Sequence, residues 1–327
     1  MIITEEITRS NRGVFDAVVF ANKRIRQRFY RLGLEFSGDG AEAFAKARPG
    51  QFAEIDLSGV KLPPMKEVAE DLQDAAERKV LLRRPFSFCE VSSQFTHRSV
   101  NEGGRGKTRV EILYCALGPA TLRMTTLSAG NSVSVMGPLG NGFRMPADKK
   151  MALLVSGGMG AGPLIHLAKT ITAECPKVEV TAFVGAKTKT EMPFEKPLDE
   201  ISRQLGFALH EFARYAVESQ LATDDGSIGH KGFVTDCFSQ WLGQQRSLSA
   251  KDTIIYSCGP EAMLARIAKI AEDKKIDCQV SMERMMACGI GVCQSCAIKC
   301  KVEGSNETIY KLCCKDGPVF DGREVVF

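Results

Sequence analysis

Three observations predict a multi-domain chain of mixed α/β and β class. Its 327 residues exceed the size at which one hydrophobic core stops growing, so two or three domains are expected. Before about Lys149 the sequence is a series of short β-rich runs broken by turns; after it, apolar strands and amphipathic helices alternate. Near the end, six of the twelve cysteines fall within the 27 residues from Cys288 to Cys314. The expected order is an antiparallel β-barrel over 1–148, a parallel sheet covered by helices over 149–280, and a small cysteine-rich domain over 281–327.

In the first region the strand candidates are VFDAVVFANK, FAEIDL, RVEILYCAL and NSVSVMGPLG, short and turn-bounded as in an antiparallel barrel or sandwich. One segment interrupts them. From Met65 to Val80 the apolar residues Val68, Leu72, Ala76 and Val80 recur every four positions among charges, just after Pro63-Pro64, which predicts an amphipathic helix inserted between strands. Two further stretches stand out, RRPFSF (83–88) and GPLGNGF (137–143). Arg84 can make charge-assisted bonds to a phosphate and Ser87 can hydrogen-bond a polar ring edge, although a plain Arg-Pro turn and a Gly-rich hairpin account for the same residues.

The second region reads as strand MALLVS, helix 162–172, strand VEVTAFVG, helix 197–205, a weaker strand FALHEF, helix FVTDCFSQWLG, strand TIIYSCG and helix PEAMLARIAKIAEDKK. That alternation implies a parallel sheet. The turn LLVSGGMGAGPL carries Gly157, Gly158, Gly160 and Gly162 between a strand and a helix. Glycines let the backbone approach a ligand, and the helix amino-terminus offers free N–H groups to a dinucleotide pyrophosphate. The spacing is not the usual G-x-G-x-x-G, and a tight turn without ligand is the alternative. A second junction ends at Cys258-Gly259-Pro260, so both open on the cleft at the carboxyl ends of the strands, with Cys258 facing a nicotinamide or else a buried strand-end thiol.

In the tail, Cys288-x4-Cys293-x2-Cys296 followed by a distant cysteine has the plant-type spacing of [2Fe-2S] ligands. Gly289 and Gly291 let such a loop curl with its N–H groups turned to the sulfurs. The fourth ligand comes from Cys300, Cys313 or Cys314. Cys300 lies on the strand-like AIKCKVEG, which carries it away. Alternation puts Cys313 and Cys314 on opposite faces, and Cys314, next to the turn KDGP, is favoured. Structural zinc is the competing reading, but zinc ribbons show two separated C-x2-C pairs.

Composition removes other classes. Lys and Arg exceed Asp and Glu by 43 to 39, a net +4 without a basic run, which argues against nucleic acid. No stretch approaches the ~20 apolar residues of a membrane span, the beginning lacks a signal-peptide pattern, and twelve cysteines then read as reduced thiols or metal ligands in a cytoplasmic protein. The histidines His97, His166, His210 and His230 read as surface or packing residues.

Taken together and in order, RRPFSF, GPLGNGF, SGGMGAGPL, DGSIGHKGFVTD, YSCGPEAML, ERMMACGIGVCQSC and CCKDGPVFDGREVV closely resemble the electron-transfer subunits of B-type dihydroorotate dehydrogenases, within the ferredoxin-NADP reductase superfamily. The resemblance runs from about Asn11 to the C-terminus. It implies an FAD-binding barrel, a Rossmann-like NAD(P) domain and a C-terminal [2Fe-2S] domain. It assigns Arg84, Pro85, Phe86 and Ser87, then Leu113, Tyr114 and Cys115, then the turn residues Ala120 and Thr121, to FAD, and the cluster to Cys288, Cys293, Cys296 and Cys314. It implies electrons passing between NAD and an FMN-containing catalytic subunit that oxidises dihydroorotate in pyrimidine biosynthesis, in a heterotetramer, with no side chain of this chain needed as acid or base. The diaphorase subunit of another flavin and iron-sulfur complex is the neighbouring reading. Three departures are visible: the long 65–80 insertion, Ala120 where the flavin turn more usually has glycine, and the extra thiols Cys300 and Cys313. Lys187 and Lys189 leave NAD against NADP open; the resemblance favours NAD.

Overall fold

The computed structural model describes residues 12–94, 106–146, 148–194 and 209–327. The first sheet is wholly antiparallel. It contains β1 (Gly13–Arg24), β2 (Phe29–Ser37), β3 (Phe52–Ile55), β4 (Arg84–Ser87), β5 (Glu90–Gln94), β6 (Lys107–Cys115) and β7 (Ser132–Leu139), with helix α1 (Gly38–Ala45) over one end. The strand order is β4-β3-β7-β1-β2-β6-β5. Its two rim strands, β4 and β5, are joined by only Phe88 and Cys89, so the sheet has to curl until its rims meet. Alternation along β1 buries Ala17 and Val19 and exposes Val14 and Val18. The core so enclosed is aromatic: Phe36 stacks on Phe44 at 3.9 Å, and Phe44 meets Phe88 edge-on at 5.8 Å.

The expected helix over 65–80 is not continuous. The segment makes two 3-10 turns, Met65–Glu67 and Glu70–Leu72, and a single α-turn, α2 (Gln73–Ala76), with Val68 and Ala69 extended between them. The apolar stripe was still informative, because Val68, Leu72, Ala76 and Val80 are all buried. Three of them cover Ala116 and Leu122, the latter on the short helix α3 (Pro119–Met124). A straight helix of sixteen residues would be ~24 Å long and could not follow a curved barrel wall.

The second sheet has the order β11-β10-β9-β8-β12-β13-β16. Its strands are β8 (Met151–Gly157), β9 (Glu179–Ala186), β10 (Glu218–Thr223), β11 (His230–Lys231), β12 (Thr253–Cys258), β13 (Asp277–Ser281) and β16 (Val319–Asp321), all parallel except β16. Helices α4 (Ala161–Glu174), α6 (Val234–Gln244) and α7 (Glu261–Lys274) cover it. The strand expected at FALHEF is a correction: its described end is the helical turn α5 (His210–Ala213), and the sheet strand is the polar ESQLAT that follows. Ser219 Oγ inside that strand accepts from Leu209 N at 3.1 Å, so polar side chains there are satisfied within the fold and leave no apolar signal. The helix expected over 197–205, the start of FALHEF, His97 and Asn11 lie outside the described residues.

The tail folds onto this second sheet. A hairpin of β14 (Ala297–Lys301) and β15 (Thr308–Leu312) follows the cysteine loop, and β16 pairs with β13. One continuous core runs from Leu153, Val155 and Ile255 of the parallel strands to Cys296, Ile298 and Phe320 of the tail. GPLGNGF, singled out in the sequence, is the barrel's clamp on the tail: Asn141 Nδ2 donates to the Lys315 and Asp316 carbonyls at 3.3 and 3.0 Å, and Asn141 N to Gly317 O at 2.5 Å.

Candidate functional site

The order of the second sheet reverses between β8 and β12, the switch point where ligands of such sheets sit. The two glycine junctions meet there. A Cβ at Gly160 would lie 2.1 Å from the Cys258 carbonyl oxygen, and one at Gly157 2.9 Å from Met263 Sδ and Pro260 Cδ. These two glycines serve the interlocking of the turns. Gly158, at φ +55°, faces open space, and Gly162 lies in the first turn of α4, whose amino-terminus points into the same opening.

That opening is part of a cleft of about 570 Å³ between the barrel, the parallel sheet and the tail. It collects Gly157, Gly158, Gly160, Gly162, Cys258, Gly259 and Pro260 from the sheet. From the barrel it collects Pro85, Phe86, Ser87, Leu113, Tyr114, Cys115 and Thr121. Two expected residues do not line it. Ala120 packs its side chain into the barrel core. Arg84 folds back at the rim, with Nη1 donating to Leu82 O and Arg83 O at 2.9 and 3.1 Å. Thr121 is used locally, its hydroxyl oxygen accepting from Leu117 N and Gly118 N at 3.0 and 3.1 Å. Tyr114 is held by stacking on Tyr30 at 5.2 Å and by its hydroxyl donating to Asn22 Oδ1 at 3.1 Å. Burial pushes the Cys258 thiol up to about 12, and Ser281 hydrogen-bonds it, so it faces the cleft as a neutral thiol.

Sequence reasoning missed the third wall, made by Ser281, Met282, Glu283, Arg284, Met286 and Pro318. Most of these stand in or beside the quoted ERMMACGIGVCQSC; the parallel pairing of β13 with β12 sets Ser281 beside Cys258, and the pairing of β16 with β13 brings Pro318 to the same wall. Arg284 is fixed by Glu261 at 2.9 Å.

In the cysteine loop, Gly289, Gly291 and Gln294 have φ of +66°, +85° and +59°, and these left-handed residues turn N–H groups towards sulfur. Val292 N and Cys293 N each lie 3.4 Å from Cys288 Sγ, and Cys314 N lies 3.4 Å from Cys296 Sγ. Cys296 and Cys314 are paired, Sγ to Sγ 3.3 Å, and Cys288 adjoins Cys293. Hydrogen bonds from Ser295, its side chain foremost, draw the exposed Cys293 thiol down to about 6. Among the described residues no three Cys, His, Asp or Glu side chains group as ligands of a single ion. Two pairs of thiols with N–H donors fit a binuclear iron-sulfur cluster better than one tetrahedral zinc. The other two thiols turn away: Cys300 is buried on β14, and Cys313 Sγ donates to Met282 O at 3.3 Å, its thiol pushed up to about 12 by burial.

Fold and site together define an oxidoreductase chain with a ferredoxin-NADP reductase-like fold and a C-terminal iron-sulfur domain. Residues 283–326 match the iron-sulfur cluster binding domain of dihydroorotate dehydrogenase B, and 154–269 match the oxidoreductase NAD-binding domain. The chain is 31% identical, over 95% of its length and 98% of the relative's, to the dihydroorotate dehydrogenase B (NAD(+)) electron transfer subunit of Caldanaerobacter subterraneus subsp. tengcongensis. It is 36% identical, over 84% and 92%, to that of Geobacillus kaustophilus. The chain belongs to the family of dihydroorotate dehydrogenase B electron transfer subunits. Among solved structures, the NADH-dependent reduced ferredoxin-NADP oxidoreductase superposes with a TM-score of 0.67 at 23% identity, over 95% of this chain and 89% of that one. A ferredoxin NADP+ reductase from Neisseria gonorrhoeae gives 0.53 at 12%, over 80% and 91%. Both show the shared fold. No helix among the described residues is long and apolar enough to cross a membrane.

Proposed function

We propose that this chain moves electrons between NAD and an FMN-containing dihydroorotate dehydrogenase catalytic subunit, through FAD in the cleft and a [2Fe-2S] cluster in the cysteine loop. The observation that carries this reading is the convergence of barrel wall, strand-end turns and cysteine-bearing tail on one cleft. When bound, the flavin supplies exchange between two-electron and one-electron transfer, and the cluster carries single electrons.

The chain's own residues hold and orient. Pro85, Phe86 and Ser87 with Leu113, Tyr114 and Cys115 form the flavin wall, and Gly158 and the α4 amino-terminus take the nicotinamide pyrophosphate. Cys258, Gly259 and Pro260 confine the nicotinamide. Cys288, Cys293, Cys296 and Cys314 hold the cluster, and the loop N–H groups stabilise negative charge on sulfur. No side chain has to move a proton.

For the nicotinamide, NAD is the reading. The exposed Lys187 and Lys189 lie in the loop after β9, against the loop after β10 that carries Asp224 and Asp225: Lys189 N donates to Ser227 Oγ at 2.8 Å, and that hydroxyl donates to Asp225 Oδ1 at 2.6 Å. Two carboxylates there disfavour a 2′-phosphate. A cytoplasmic heterotetramer with the catalytic subunit completes the reading.

Purification of the native complex tests it. Flavin and [2Fe-2S] absorption, a companion containing FMN, and faster reduction by NADH than by NADPH are expected. A companion without FMN and without dihydroorotate oxidation would make the chain a diaphorase of another complex.

A further inference from the structure

Glu54 on β3 is buried to 1% exposure, and neither carboxyl oxygen has a hydrogen-bond partner among the described residues. It pairs in register with Pro85 of β4, and Phe52, two residues earlier on the same strand, lines the cleft, while Ala53 and Ile55, which alternate with them, face the barrel core. Glu54 therefore stands on the cleft-side face of the barrel wall. Its carboxyl lies directly beneath the cysteine loop: a Cβ at Gly289 would be 2.6 Å from both Glu54 Cδ and Oε1.

We propose that Glu54 is a positioning residue for the iron-sulfur cluster, reaching from the barrel under Gly289 to donate a hydrogen bond to a sulfur of the cluster. The inference rests on the cluster assignment above. A buried carboxylate without a partner is not sustained in a protein interior; the group takes a proton and becomes a donor. The cations near it are occupied. Arg83 donates to Ser134 O and Oγ at 2.9 and 3.0 Å and lies 3.9 Å from Asp56, and Arg84 donates to the Leu82 and Arg83 carbonyls. The O–H then lacks an acceptor on the chain, and the loop above it is where sulfur is expected. A donor there stabilises the reduced cluster, which carries one more negative charge, and so raises its potential.

The test is a redox titration of the full chain, followed by the electron paramagnetic resonance of the reduced cluster, in wild type, Glu54→Gln and Glu54→Met. Gln keeps a donor; Met keeps the length without one. Glu54→Gln is expected to titrate like wild type. In Glu54→Met the ratio of reduced to oxidised cluster at fixed poise is expected to fall about tenfold, a lowering of about 59 mV for one electron. If the Met variant does not assemble, Glu54→Leu, which also lacks a donor, is expected to show the lowering. An unchanged potential without the donor, or Gln and the donorless variant shifting together, would overturn the proposal. A wild-type chain with no [2Fe-2S] signal would instead overturn the cluster assignment and this inference with it.

Discussion

Cys313 and Cys314 are adjacent and face opposite ways: one donates to the Met282 carbonyl, the other lies against Cys296. Replacing Cys314 by Ser is expected to abolish the [2Fe-2S] absorption, while Cys313→Ser and Cys300→Ser keep it; iron and sulfide analysis of the three variants checks this. Gly289→Ala is expected to lose most of the cluster as well. It would strain φ at +66° and push a methyl into Glu54, two costs that together reach ~2 kcal/mol or more. Iron content of the purified variant is the measurement. The opposite facing of Cys313 and Cys314 was legible, because alternation settles which way adjacent residues point. Glu54 was not legible, because in FAEIDL it reads as an ordinary outward-facing strand charge, and only the tail folding back over β3 buries it.

Helix α4 shows what an element adds. It begins at the glycine turn, and its flank binds the barrel: Lys169 Nζ meets Glu90 Oε1 at 3.1 Å and the Val91 carbonyl at 2.8 Å. One turn earlier His166 is buried, its Nδ1 without a partner among the described residues, and burial, with some help from Lys169, lowers it to about 4 against the opposing effect of Glu90. The unfolded chain binds this proton below about pH 6.5 while the folded chain does not, so the neutral imidazole's contribution is complete above 6.5 and is lost as pH falls towards 4. His166→Leu is expected to remove up to ~3 kcal/mol of that acid sensitivity, read as the difference between the two proteins in denaturation midpoint against pH. The helices α4, α6 and α7 were readable from periodicity. The 65–80 stripe was readable as a buried face but not as broken turns, since periodicity reports which residues are buried and not how far the backbone must bend around a curved surface.

At the scale of the whole molecule, the tail shares its core with the parallel sheet and meets the barrel through Phe52 and Leu139, whereas most of the barrel's buried side chains form a core of their own. Stripping iron with a chelator is therefore expected to lower the unfolding temperature of the parallel-sheet region by several degrees and to leave the barrel's transition nearly unchanged; calorimetry, or hydrogen exchange in β13 compared with β1, checks it. The three-part order was visible in the texture of the sequence. The cleft's third wall was not, because it needs two non-local pairings, β12 with β13 and β13 with β16, the second joining residues about forty apart.

The curl of the barrel has a consequence for assembly. Its rim strands turn towards each other through Phe88 and Cys89, and Lys169 crosses β5. The rims of the second sheet are only two and three residues long, β11 and β16. Among the described residues neither large sheet offers a long, bare backbone edge on which a foreign strand could template itself. At these two sheets a companion chain would be recognised by side-chain shape and charge, a mode of pairing that tolerates separation and reassociation without risk of runaway β-polymerisation.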